Sequence, residues 1–231
     1  MNALPLFHFP DLQTAHGNIQ LTEEIRKHAF TVLRMQAGEQ LMLTDGKGFS
    51  AKADIIQADK KQLIVALGEK IAHPAPPKKM ILGISLLKNT ARFEWMLEKV
   101  TEIGITEIIP LLAERTERQH FRQERFYQIL VSACLQSGQF HFPVLHEPVK
   151  LEMLYSMDLP SNKFMAHCMG GDKPQLSGQS SDSILLIGPE GDFTPEELAL
   201  AVQHHFEPVG LGESRLRTET AGIVGAVLLR G

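Results

Sequence analysis

Three prolines within four residues, Pro74, Pro76 and Pro77, separate two segments of different character. Proline fixes φ and lacks a backbone N–H, so this run cannot lie inside a regular element and instead stiffens a linker. The chain has 231 residues, which is enough for one large domain or two small ones. We therefore expect one domain over residues 1–72 and a second over residues 78–231.

The first segment has the pattern of a small β-rich domain. Two strand-like runs, 41–44 and 49–56, flank Asp45-Gly46-Lys47-Gly48, which is typical of a hairpin turn. Residues 63, 65 and 67 are apolar and alternate as in a half-buried strand. Together with a short helix over 23–33, these runs predict a small β-barrel.

The second segment alternates between strand and helix patterns. Apolar runs predict strands at 80–86, 105–112, 164–168, 184–187 and 207–211. Helical spacing predicts helices at 93–103, 126–133, 195–206 and 219–229, with Thr194 and Glu197 forming a capping box before the third. This alternation is typical of an α/β domain with a mostly parallel sheet.

Composition excludes several classes of protein. No apolar run reaches the ~20 residues of a membrane span, and the N-terminus lacks the features of a secretory signal. The two cysteines, Cys134 and Cys168, exclude a disulfide scaffold and are expected to be buried, as are Trp95 and Met96. No ligand-spaced cluster predicts a metal site. The net charge of −4 confines any RNA binding to local patches. We expect a soluble, cytoplasmic protein without a membrane or metal partner.

Two glycine-rich turns, 188–194 and 210–218, each follow a predicted strand and precede a helix. Ligands of open α/β sheets bind at the carboxyl ends of strands, and glycine lets the backbone approach them closely. These turns are the expected pocket. Gly210-x-Gly212 partly matches a dinucleotide fingerprint, but Arg215 stands at the third glycine position, and no nucleoside triphosphate motif is present.

The residues of these turns carry a resemblance to a known family. LLIGPEGDFTPEEL at 185–198, followed by LGESRLRTETAG at 211–222, resembles the bacterial 16S rRNA (uracil-N3)-methyltransferases of the SPOUT superfamily. HAFTVLRM at 28–35 is similar to the family's PUA-like N-terminal domain. The family pattern K-x3-R-x-E-x4-K-x-T-E-x-G matches residues 88–104, and Glu114-Arg115 and 133–138 also fit.

The resemblance implies a PUA-like β-barrel followed by a SPOUT domain with a trefoil knot, expected near residues 164–222. It implies a homodimer that methylates N3 of one uridine of 16S rRNA in the small ribosomal subunit, uridine 1498 in the usual numbering of that RNA. The methyl donor would be S-adenosylmethionine (SAM).

The resemblance also assigns roles to particular residues. For cofactor binding it implies His167, Ile187, Gly188, Pro189, Glu190, Gly191, Gly210, Leu211, Gly212, Leu216, Thr218, Thr220 and Ala221. For RNA binding it implies Arg26, Lys27, Arg34 and Lys52, and Arg92 and Arg115 are further candidates. The arginine cluster that contains Arg115 could instead be a solvated helix face with ion pairs. Two departures from the family pattern are Asp192, where a second glycine is usual, and Gln139, where an arginine is common.

The chemistry of uracil methylation suits three side chains in or beside the two glycine-rich turns. Uracil N3 is a poor nucleophile until it loses its proton, so catalysis requires a base and a cation that stabilises the anion. Arg217 is the candidate cation and Glu219 the candidate base, with Glu190 as the alternative base. Arg217 and Glu219 could instead form only a structural ion pair. Other readings are a methyltransferase of tRNA or another rRNA site, a non-catalytic SAM- and RNA-binding assembly factor, and a dinucleotide-dependent oxidoreductase.

Overall fold

A computed structural model describes residues 4–117, 120–170 and 172–231 of the chain. The chain divides into two compact units. The first comprises the chain up to Ala75 together with Cys134–Phe142, and the second comprises Pro76–Ala133 and Pro143–Gly231.

The first unit is a five-stranded mixed sheet with one helical segment. Its strands lie in the order β1-β3-β4-β5-β2, with β1 parallel to β3 and the other pairs antiparallel. Their bounds are β1 (Leu6–His8), β2 (Asn18–Gln20), β3 (Gln40–Thr44), β4 (Phe49–Ala58) and β5 (Leu63–Ala72). The helix α1 (Glu23–Arg26) continues as a π-helix (Lys27–Val32). Alternate residues of β3, β4 and β5 form the buried core.

Residues Phe140 and Phe142 bind to the β3–β4 turn of the same unit. The Gly48 N–H donates to the Phe140 carbonyl (2.9 Å), and the Phe142 N–H donates to the Gly46 carbonyl (2.8 Å). A Cβ at Gly46 would lie 2.5 Å from the Phe142 ring, so this close approach requires glycine. The hairpin glycines therefore serve packing as well as the turn.

The second unit is an α/β domain, and its described strand pairs are all parallel. The strand order is β12-β10-β11-β6-β7-β8, with β9 also paired to β7. The strands are β6 (Met80–Ser85), β7 (Glu107–Leu112), β8 (Val144–Leu145), β9 (Val149–Lys150), β10 (Asn162–Ala166), β11 (Ser183–Ile187) and β12 (Glu207–Val209). The helices are α2 (Thr90–Ile103), α3 (Gln123–Ser137), α4 (Leu151–Leu154), α5 (Pro195–Gln203) and α6 (Thr218–Arg230), and α3 belongs to this unit up to Ala133. The predicted α/β class with a mostly parallel sheet is confirmed.

Two apolar layers sandwich this sheet. Strands β6 and β11 are buried at every residue, as expected of central strands covered on both faces. One layer contains α2 and α6, and the other contains α4 and α5. Gly225 lets α6 approach the sheet, since a Cβ there would lie 2.4 Å from a Leu185 methyl group.

Two side chains that were expected to be buried lie at the surface. Trp95, on α2, is 48% exposed, because it lies on the helix face away from the buried Met96 and Leu97. Cys168 follows β10 and is exposed, whereas Cys134 is buried. Both predictions took residue type as the guide to burial, and position on the element decides it instead. Every helix in the described part of the chain is too short or too polar to span a membrane.

Candidate active site

A cavity of about 780 Å³ opens at the carboxyl ends of β10, β11 and β12. This is the edge at which parallel sheets bind their ligands, and the volume is in the range of small-molecule sites. Its walls come from the loops that follow these three strands and from the first turn of α6. All of these elements belong to the second unit.

The end of β11 and the loop after it form one wall through Ile187, Gly188, Pro189 and Glu190. A Cβ at Gly188 would lie 3.1 Å from the Phe193 ring, so glycine allows the loop to pack against that ring. The predicted cofactor residue Gly191 is not among the lining residues. Its carbonyl accepts a hydrogen bond from Arg115 Nη1 at 2.8 Å. Arg115, an expected RNA contact, therefore supports this loop from outside the cavity.

The loop after β12 forms a second wall through Gly210, Leu211 and Gly212. Gln175 fixes it. Its Oε1 accepts a hydrogen bond from the Gly212 N–H at 2.7 Å. On either side of Gln175, the Leu176 N–H donates to the Gly210 carbonyl and the Pro174 carbonyl accepts from the Gly210 N–H. Gly212 has φ of 113°, a conformation that favours glycine.

The first turn of α6 closes the cavity with Leu216, Arg217, Thr218, Glu219 and Ala221. Arg217 is the N-cap residue and is exposed, whereas Glu219 is only 7% exposed. Arg217 forms no ion pair or hydrogen bond with the described part of the chain. The predicted cofactor residue Thr220 is exposed and does not line the cavity.

Glu219 has an ionic partner on another helix. Arg92 Nη1, near the start of α2, lies 3.7 Å from Glu219 Oε1. Arg92 also lines the cavity. The ion pair considered between Arg217 and Glu219 is therefore replaced by one between Arg92 and Glu219, which leaves the Arg217 guanidinium available to a ligand.

The loop after β10 supplies a side of the cavity that sequence patterns largely missed. His167 was expected there, but Cys168, Met169 and Lys173 also line the cavity. Lys173 Nζ lies 3.5 Å from His167 Nδ1 and donates to the Met169 carbonyl at 2.6 Å. Burial and the nearby Lys173 charge lower the pKa of His167, which favours the neutral imidazole.

Other residues absent from the sequence prediction also line the cavity, namely Ala166, Gly170, Asp172, Gln175, Asp192, Glu213, Ser214 and Arg215. Asp192, Glu213, Ser214 and Arg215 lie within the two glycine-rich turns in which the sequence predicts the pocket. The other four lie at the end of β10 or in the segment after it. Their signal in the sequence is position alone, because β10 ends at the same edge of the sheet as β11 and β12.

The remaining expected RNA contacts lie in the first unit. Lys27 Nζ lies 2.7 Å from Glu23 Oε1, and Arg26 lies 3.8 Å from the same carboxylate. Arg34 is exposed with φ of 56°, and Lys52 is exposed on β4. Gln139, which stands where the family pattern commonly has an arginine, donates a hydrogen bond to Ser137 Oγ at 2.9 Å.

The groups that line the cavity suit a cofactor with an aromatic base and charged ends. Ile187, Leu211, Leu216 and Ala221 provide apolar surface, and the glycine loops present main-chain groups. Lys173 and Arg215 supply positive charge for a carboxylate. Within the described residues, no group of three His, Cys, Asp or Glu side chains could hold a metal ion.

Comparison with known proteins gives consistent matches. The protein-family model of the RNA methyltransferase domain matches residues 74–230. The protein-family model of the RNA methyltransferase PUA domain matches residues 21–67. The predicted PUA-like domain is thereby confirmed.

Individual relatives match over most of their length. A probable rRNA-methyltransferase from Porphyromonas gingivalis is 37% identical over 96% of this chain and 95% of its own, with a TM-score of 0.88. The ribosomal RNA small subunit methyltransferase E of Neisseria gonorrhoeae, solved with SAM bound, is 27% identical over 99% and 97%, with a TM-score of 0.85. The Synechocystis protein of the same name is 29% identical over 92% of this chain and 72% of its own.

Proposed function

Because the chain belongs to the RNA methyltransferase family, we propose that it transfers a methyl group from SAM to N3 of a single uridine of 16S rRNA in the small ribosomal subunit. We take this uridine to be position 1498 in the usual numbering. The main support for this function is the cavity, where the two glycine loops, Arg217 and Glu219 meet at one edge of the parallel sheet. The similarity to the SAM-bound enzyme of Neisseria gonorrhoeae supports both the cofactor and the RNA.

The cavity residues would hold SAM in two ways. The apolar side chains of Ile187, Leu211 and Leu216 would contact the adenine, and the loops at 188–190 and 210–212 would offer backbone groups to its polar edges. When bound, SAM supplies a methyl carbon already activated by its sulfonium group. The lowered pKa of His167 favours an uncharged imidazole in the cavity.

The chain must prepare the uracil. Arg217, exposed at the start of α6 and unpaired with the described residues, would stabilise negative charge on the base as its N3 proton leaves. Glu219 would accept that proton, and Arg92 at 3.7 Å orients its carboxylate. Glu190, on the facing wall, is the alternative base.

RNA binding would use positive groups of both units. Arg92 lines the cavity, and Arg34 and Lys52 are exposed on the first unit. A target uridine enters such a cavity only when it is unstacked from its neighbours. Because ribosomal subunits are cytoplasmic, the protein would work in the cytoplasm.

The working form would be a homodimer formed by α2 and α6. These helices pack together and carry two exposed apolar side chains, Trp95 and Val227. Exposed apolar surface of this kind is typical of interaction sites. The SPOUT knot would lie within residues 164–222, which contain the end of β10, β11, β12 and the three loops of the cavity.

The test is a methylation assay on small ribosomal subunits that lack the modification. We expect labelled methyl from SAM to appear in N3-methyluridine after digestion to nucleosides and mass spectrometry, and at position 1498 after fragment mapping. Label only in tRNA, or at another rRNA position, would overturn the substrate. Tight SAM binding without label on any RNA would favour an assembly factor.

The catalytic roles are tested by replacing single side chains. Arg217→Ala is expected to lower kcat by 100-fold or more, since one stabilising donor is worth roughly 10²–10³ in rate. Glu219→Gln and Glu190→Gln distinguish the two bases, because only loss of the true base removes the acidic limb of the pH–rate profile. Full activity of Arg217→Ala in a folded protein would contradict its role.

A further inference from the structure

Asp192 connects two walls of the cavity through its side chain. Its Oδ2 accepts a hydrogen bond from the Cys168 N–H at 2.7 Å, and its Oδ1 accepts from the Phe193 N–H at 2.8 Å. Cys168 follows β10, and Asp192 lies in the loop after β11. Since β10 and β11 are neighbouring parallel strands, the carboxylate joins the loops at the edge where the cavity opens.

The backbone at this position restricts which residue can make the connection. Asp192 has φ of 64°, in the left-handed region that glycine, asparagine and aspartate tolerate better than other residues. Its N–H donates to the Pro189 carbonyl at 2.9 Å, which closes the turn. Glycine would adopt this turn easily but would lack the carboxylate, so the turn and the connection are separable properties.

The carboxylate has little freedom to do anything else. Both oxygens accept backbone N–H groups, and hydrogen bonds from an N–H to an ionised acceptor are stronger than neutral ones. The Asp192 charge also acts on His167, next to Cys168 on the same loop. Asp192 is therefore a bridge between loops rather than a group presented to substrate.

We propose that Asp192 is a positioning residue that sets the spacing of the loops after β10 and β11, and through it the affinity for the cofactor. This inference rests on the proposed function, because SAM is the ligand whose affinity is at issue. Both loops line the cavity. Without the hydrogen bond between them, the loops would adopt more relative positions, and the ligand would bind more weakly because it must order them.

The experiment compares Asp192→Gly with Asp192→Asn and a matched control. Glycine keeps the turn and removes both acceptors, whereas asparagine keeps the turn and one acceptor. The control is Asp182→Gly, because Asp182 Oδ1 also accepts a backbone N–H, from Lys79 at 2.7 Å. Asp182 immediately precedes β11, at the end of the strand opposite the cavity.

SAM binding is measured by calorimetry. We expect the Kd for SAM to rise about tenfold in Asp192→Gly, equivalent to ~1.4 kcal/mol, with a smaller rise in Asp192→Asn and none in Asp182→Gly. KM for the ribosomal subunit should stay constant. Hydrogen exchange should show faster exchange of the Cys168 amide in Asp192→Gly, without SAM present.

The outcomes separate the two proposals. If wild-type protein binds SAM and Asp192→Gly binds it equally well, the positioning role is overturned and the proposed function stands. If the wild-type protein does not bind SAM, both fail. Should Asp192→Gly not fold, Asp192→Asn decides: unchanged affinity together with faster exchange of the Cys168 amide overturns the role, because the bond between the loops is then lost without effect on SAM binding.

Discussion

The side-chain amide of Gln175 lies so close to Gly210 that a Cβ there would come within 2.6 Å of its nitrogen. The same amide accepts the hydrogen bond from the Gly212 N–H. A methyl group on residue 210 would displace the flexible end of Gln175 and break that bond. The glycine and the glutamine therefore act as one unit in shaping this wall of the cavity.

This coupling gives a prediction at the residue scale. Gly210→Ala and Gln175→Ala should each weaken SAM binding about fivefold, the value of one neutral hydrogen bond at ~1 kcal/mol. Because both remove the same bond, the double variant should bind SAM no more weakly than either single variant. Calorimetric Kd values for the four proteins measure the coupling, and additive losses would contradict it.

The two cysteines should differ in reactivity. Burial raises the pKa of Cys134 to about 12, so at pH 8 this thiol is almost entirely protonated and unreactive. Exposed Cys168 should react with iodoacetamide, and SAM should slow that reaction because Cys168 lines the cavity. Peptide mass spectrometry measures the alkylation rate of each cysteine. Equal labelling of the two thiols in folded protein would contradict the prediction.

At the scale of the element, helix α5 begins with a complete capping box. Thr194 Oγ1 accepts from the Glu197 N–H at 3.2 Å, and Glu197 Oε2 accepts from the Thr194 N–H at 2.8 Å. Pro195 occupies the first turn, where its missing N–H costs nothing. The helix start was predictable because the signal is local, with every partner within three residues.

Thr194→Ala should lower the free energy of unfolding by about 1 kcal/mol, since the Glu197 N–H in the first turn of the helix loses its side-chain acceptor. Thr194→Ser, which keeps the hydroxyl, should lie closer to the wild type. Denaturant unfolding followed by circular dichroism measures both. If alanine and serine had the same effect, the loss would come from packing of the methyl group.

Elements without a local signal were not predictable. Strands β1 and β2 have three residues each, too few to show alternation, and they exist because β3 and β5 offer them edges. The helix predicted over 23–33 changes to π geometry after Arg26, and such a change leaves no period in the apolar pattern. Tertiary partners decide these elements.

At the scale of the whole molecule, the exposed face of α2 and α6 bears on the oligomeric state. Trp95 is 48% exposed and Val227 53% exposed, on two helices that pack against each other. Residue type alone placed Trp95 in the core, because an apolar residue type does not distinguish a side chain packed against its own sheet from one exposed at the surface.

Trp95→Glu should convert the proposed dimer into monomers, because a carboxylate cannot be buried there without a partner. Val202→Glu is the matched control, since Val202 is 51% exposed and lies on α5 instead. Size-exclusion chromatography with light scattering gives the masses. A wild-type monomer, or a Trp95→Glu dimer, would contradict this interface.

The composition of the cavity was only partly accessible from the sequence. The glycine loops and the first turn of α6 carry motifs, and most of their predicted residues line the cavity. Arg92 and Gln175 are distant in sequence from the groups they hold, so only the fold brings them to Glu219 and Gly212. Motifs identify backbone conformations, whereas supporting side chains depend on the whole sheet.

The pairing of β6 with β11 has a consequence for the kinetics of folding. Met80 pairs with Ser183, so this register forms only after a long stretch of chain has been enclosed as a loop. Loop closure of this length is entropically costly, and folding slows as the mean separation of contacting residues grows. The cavity lies at the end of these same strands, so refolding chains would acquire the ability to bind a ligand in their slow phase.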